Sequence, residues 1–108
     1  MKIGLRIPGA AGDMSWADFC GWCKENGFDA VDVGAITAEL AETVKGAGLT
    51  IGSADLPGVR DLLSVDSTKQ EAGATIAKEA ISVAADYGVS IMFCVFVPED
   101  ASLSLILI

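Results

Sequence analysis

The chain contains no histidine. That removes the commonest general base and the commonest neutral metal ligand from every position. Seven Lys and Arg stand against fifteen Asp and Glu, for a formal net charge of −8. Nucleic acids and anionic membrane surfaces are bound by clustered cations, so this balance weighs against both as partners. Aromatic residues make up 6% of the chain while apolar residues reach 52%. The core is therefore expected to be built from Val, Ile, Leu and Ala. No apolar run reaches the ~20 residues that a membrane span needs. The opening Met1-Lys2-Ile3-Gly4-Leu5-Arg6 has no long apolar segment and no cleavage site of the export type. Three cysteines, an odd number without an export signal, point to a reducing cytoplasm rather than a disulfide framework.

What is present is a repeated grammar, clearest between Ser67 and Asp100. Ser67 followed by Gln70 has the spacing of a capping box. Ala72, Ile76, Ala80, Val83, Ala84 and Tyr87 recur at three- and four-residue steps, which predicts one apolar helix face. Gly88 stands where a left-handed C′ residue ends a helix. The continuous apolar run from Ile91 to Val97 predicts a strand covered on both faces, as parallel strands are. Pro98, lacking an N–H, is expected to end its ladder.

The same order appears earlier in shorter form. Residues 2–7 alternate, with Ile3, Leu5 and Ile7 on one side and Lys2, Gly4 and Arg6 on the other. Ser15 with Asp18 opens a helix whose stripe is Trp16, Phe19, Cys20 and Cys23, closed by Gly27. Residues 30–34 form a second strand. Thr37 caps a second helix carrying Leu40, Ala41, Val44 and Ala47, closed by Gly48. Leu49 to Ala54 is a third strand, and a longer loop follows with a helical turn around Arg60 to Leu63.

The sequence thus predicts β-α-β-α-β-α-β in a single domain at most, with parallel pairing through crossover helices. Two architectures fit. A doubly wound sheet has helices on both faces and binds ligands where strand order reverses. Half of an eightfold barrel has four strands in order 1-2-3-4 and helices on one face. Residues 101–108, Ala-Ser-Leu-Ser-Leu-Ile-Leu-Ile, break the pattern; an uncharged apolar end of this kind reads as a truncated or altered terminus after a domain spanning residues 1–100.

Three segments carry a family resemblance: Lys2 to Ala10, the junction from Glu25 to Val33, and the stretch from Asp66 through the long helix to Leu103. Together they resemble sugar phosphate isomerase/epimerase proteins, the xylose-isomerase-like TIM barrels. An Asp-x-x-Lys-Arg pattern of such proteins stands here as Asp66, Lys69 and Gln70, without the arginine. The resemblance implies a (β/α)₈ barrel of about 250 residues, acting on carbohydrate with a divalent metal ion. It also places the family's Glu, Asp, His and Glu ligands mainly on later strands, and no residue of this chain matches them. The expectation is the N-terminal half of such an enzyme, inactive alone, with no cofactor of its own and open sheet edges prone to self-association.

Several residues are candidates for chemistry. Cys20 and Cys23, with Lys24, have thioredoxin-like spacing, but that mechanism needs the first Cys at a helix N-terminus. Here both fall mid-helix on the apolar stripe, which favours buried structural thiols; Cys94 is the remaining soft ligand. Gly9 and Gly12 lack the spacing of a phosphate cradle and read as a turn. Arg6 and Asp32 are expected on the face away from the helices, near the carboxyl ends of adjacent strands. There they would form an ion pair joining the two strands or contact substrate directly. Asp55, Glu99 and Asp100 lie just past strands three and four, as solvated loop acids or as groups that bind a sugar hydroxyl. The substrate-binding candidates are Arg6, Asp32, Asp55 and Glu99.

Overall fold

Helix starts follow the short polar side chains. The computed structural model describes residues 1–97. Helix α1 (Trp16–Glu25) begins where the Ser15 hydroxyl accepts a hydrogen bond from the Asp18 amide at 3.1 Å. Helix α2 (Ala38–Gly46) begins in the same way at Thr37, which accepts from the Leu40 amide at 3.1 Å. A single turn, α3 (Val59–Leu62), occupies the loop where one was expected. The long helix α4 (Ser67–Asp86) departs from expectation at its start. Its N-cap is Asp66, whose carboxylate accepts from the Thr68 amide at 2.8 Å. Gln70 reaches past it to donate to the Ser64 carbonyl. A carboxylate gains more than a hydroxyl from the positive end of a helix, so Asp66 takes the position predicted for Ser67.

Four parallel strands, β1 (Gly4–Arg6), β2 (Ala30–Val33), β3 (Thr50–Asp55) and β4 (Met92–Phe93), lie side by side in the order β1-β2-β3-β4. The order never reverses, so the crevice that a doubly wound sheet would use is absent among the described residues. Val31 and Val33 of β2 are fully buried against Phe19, Cys20 and Cys23 of α1, Val44 of α2 and Ala84 of α4. Helices α1, α2 and α4 therefore all contribute to one core on one side of the sheet. Crossovers that all step in one direction with the usual right hand place their helices on one side. The protein is an α/β fold with a four-stranded, all-parallel sheet.

Two packing expectations are corrected. The buried side of α4 is Gly73, Ala77, Ala80 and Ala84, while Ile76, predicted on that face, is 44% exposed. Small residues win the inner face because α3 approaches α4 at backbone contact: a Cβ on Gly73 would lie 2.8 Å from the Gly58 carbonyl oxygen. The second correction is β4. It pairs over two residues rather than across Ile91 to Val97. Met92 packs on the core, but Ile91, Phe93, Val95, Phe96 and Val97 are each between 51% and 69% exposed. Among the described residues β4 is an edge strand with only β3 beside it, and nothing there covers its far face. The predicted turn at Pro98 and the apolar segment 101–108 lie outside the described residues.

Candidate functional site

A polar cluster lies at the carboxyl ends of β1, β2 and β3, on the face turned away from the helices. Leu5 of β1 packs toward the core, so the alternation of the strand turns Arg6 the other way. Arg6 lies across from Asp32 in the β1–β2 register, as expected. The ion pair, however, skips that neighbour. Arg6 Nη1 donates to Asp55 Oδ1 at 2.9 Å, and Nη2 to Oδ2 at 2.6 Å. This two-pronged bond reaches over β2 and ties β1 to β3. The expected Arg6–Asp32 pair is thus replaced by Arg6–Asp55, with Asp32 acting on Arg6 as a nearby charge.

An irregularity in β3 makes this possible. Val31 pairs with Ile51 and Val33 with Ala54, so two residues of β3, Gly52 and Ser53, oppose Asp32 alone. Strict alternation from Ile51 would send Asp55 to the helical side. One extra residue flips the phase, so Ala54 is buried and Asp55 joins Arg6. Asp55 is therefore the last residue of a strand and not a solvated loop acid. Its amide is also held, donating to the Gly34 carbonyl at 3.0 Å. Gly52 gives Asp32 its room, because a Cβ there would stand 2.7 Å from Asp32 Oδ1.

Electrostatics follow from the fork. The hydrogen bonds from Arg6 hold the Asp55 carboxyl below the usual carboxylate range. The same bonds, together with the charges of Asp55 and Asp32, raise the guanidinium further above its ordinary value. The pair is half open to solvent, with 52% of the Arg6 side chain and 32% of the Asp55 side chain exposed. A hydroxyl-rich or anionic ligand could therefore reach the remaining Arg6 N–H groups and the Asp32 oxygens. Glu99 and Asp100, the other acids assigned to this rim, lie outside the described residues.

This donor set does not fit a divalent metal ion. Both Asp55 oxygens already serve a cation, and the described residues contain no group of three or more His, Cys, Asp or Glu that could hold one. Cys20 and Cys23 lie fully buried in the middle of α1. Burial pushes both thiols above their ordinary range, the reverse of what a redox nucleophile requires. Gly9 begins a short 3₁₀ turn (Gly9–Ala11), where the amides of Ala11 and Gly12 donate to the carbonyls of Pro8 and Gly9. Those amides serve the turn instead of a phosphate. A cavity of about 520 Å³ lies between α2 and the end of α4, lined by Glu42, Lys45, Val83 and Tyr87 among others. It is part of the helical layer, not of the strand-end cluster, and no sequence motif marked it.

No protein-family model, curated protein or solved structure matches this chain. Among the described residues, no helix is long and apolar enough to cross a membrane.

Proposed function

We propose that this chain supplies the N-terminal four βα units of a (β/α)₈ barrel of the sugar phosphate isomerase/epimerase type. In that reading it is a cytoplasmic protein acting on a small carbohydrate, with no nucleic-acid or membrane partner. The catalytic metal belongs to residues on later strands, so these units alone do not turn over a sugar. Their part is to position substrate: Arg6 toward a phosphate or a ring hydroxyl, with Asp32 and Asp55 toward hydroxyl groups. Glu99 belongs to the same rim by its place in the sequence.

The observation that carries this reading is the Arg6–Asp55 fork at the carboxyl ends of sequentially ordered parallel strands. In (β/α)₈ enzymes that end holds the active site. The one-sided helical core adds support, since half of a barrel has its helices outside only. Calorimetric titration with aldose and ketose phosphates tests the proposal, alongside a turnover assay in the presence of Mg²⁺ or Mn²⁺. Weak binding that is lost in Arg6→Ala, without turnover, is the expected result. Turnover by this chain alone, or binding indifferent to Arg6→Ala, would contradict it.

A further inference from the structure

The inner face of the sheet is uneven. On β1 to β3 it presents Gly4, Ala30 and Gly52 behind the Arg6 cluster. On β4, Met92 packs inward, so alternation places Ile91 and Phe93 on the open side, 58% and 53% exposed. In the half-barrel reading one wall leaves the interior unfilled, because a small barrel is packed by side chains from all sides.

We infer that a second copy of this chain closes the sheet, through a two-fold axis along the barrel axis, with β4 of each copy pairing with β1 of the other. The inference rests on the half-barrel reading and goes beyond it: where no later strands take those edges, a second copy of these four units does. Strand direction permits the arrangement: every strand is parallel, so a β1 set beside β4 continues both order and sense. Closure by symmetry uses both edges of each copy and leaves none open. In the eight-strand ring the two β4 strands lie opposite one another, so bulky Phe93 residues meet over the small residues of β1 to β3.

Area supports the same partner. Beyond the five exposed residues of the β4 edge, the β1 side shows Ile3, Met14 and Trp22 at 48%, 38% and 46% exposure. Met14 and Trp22 also line an apolar pocket with Leu5, Pro8 and Phe19. Side chains of this size, about half exposed, leave on the order of 800 Å² per copy, which is what each partner of a standard stable interface contributes. The net charge of −8 on each copy opposes the association, so added salt strengthens it by screening.

Sedimentation equilibrium over a range of concentration and salt is the test. The expected result is a monomer–dimer equilibrium that shifts toward dimer with salt. Ile3→Lys at one edge and Phe93→Lys at the other should each raise the dissociation constant about tenfold or more, with helical circular dichroism unchanged. Val95→Lys, outside the strand ladder, reports on the same edge if Phe93→Lys does not fold. A monomer at all concentrations, open-ended growth, or a dimer indifferent to both edges overturns the inference. A monomer that still binds sugar phosphate through Arg6 removes the second copy and leaves the half-barrel reading standing. Loss of both removes that reading too.

Discussion

Arg6 and Asp55, forty-nine positions apart in the chain, are joined by two hydrogen bonds that pass over the strand between them. The pair is partly solvated, so its value to stability is small. Its value to the site is orientation, because a forked arginine has its remaining N–H groups fixed in direction.

The pair makes the Asp55 carboxyl an acid reporter. Its folded pKa lies below the unfolded value, chiefly because Arg6 donates to it. The stabilisation is therefore complete above about pH 4, the unfolded range, and is lost as pH falls through the lower folded pKa. Carboxyl-carbon NMR should show Asp55 titrating below the ordinary aspartate range. Arg6→Gln should move its midpoint back up.

The extra residue in β3 is the device that aims Asp55. Deleting Ser53 restores strict alternation and turns Asp55 toward Val33 and the helices, away from its cation. Burying an unpaired carboxylate costs roughly 3 kcal/mol or more. Urea denaturation of the deletion variant should show a loss of that order, and the acid-shifted Asp55 signal should vanish.

Two helical glycines should respond in opposite directions to alanine. A Cβ on Gly21 meets nothing within 4 Å, so Gly21→Ala is expected to stabilise α1 by up to about 1 kcal/mol. A Cβ on Gly73 meets the Gly58 carbonyl at 2.8 Å and the Leu62 amide nitrogen at 2.9 Å. Neither backbone atom can move cheaply, so Gly73→Ala should cost about 1–3 kcal/mol. Thermal unfolding of the two variants, read against the parent, decides both.

Cys20 and Cys23 should be alkylated slowly in the native protein and quickly in denaturant. Both are inaccessible, and burial raises both thiol pKa values. Rapid native labelling of either at neutral pH would restore the redox option.

Caps and glycine stops were legible because they depend on neighbours in sequence. Ser15 and Thr37 cap as predicted, the α4 cap falls one residue before the predicted Ser67, at Asp66, and Gly27, Gly48 and Gly88 all adopt positive φ. The stripe of α1 and the inward valines of β2 were legible too, since one period governs each. Three features were not. The phase flip at Gly52-Ser53 leaves no trace in composition, so the sequence alone ends the strand at Ala54 and leaves Asp55 beyond it. The inner face of α4 departs from the predicted stripe because Gly73 adds nothing to an apolar pattern, whereas backbone contact with α3 puts it on the buried side. The run from Ile91 to Val97 predicts a strand covered on both sides, but apolar composition reports what a strand can bury and not which partner lies beside it.

In the proposed function the strand-end cluster on the face opposite the helices holds a sugar phosphate. Amide chemical-shift mapping during titration with a sugar phosphate tests it most directly. Perturbations centred on Arg6, Asp32 and Asp55, together with the Arg6 guanidinium signals, are expected. Perturbations confined to α2 and α4, or none at saturating ligand, would contradict it.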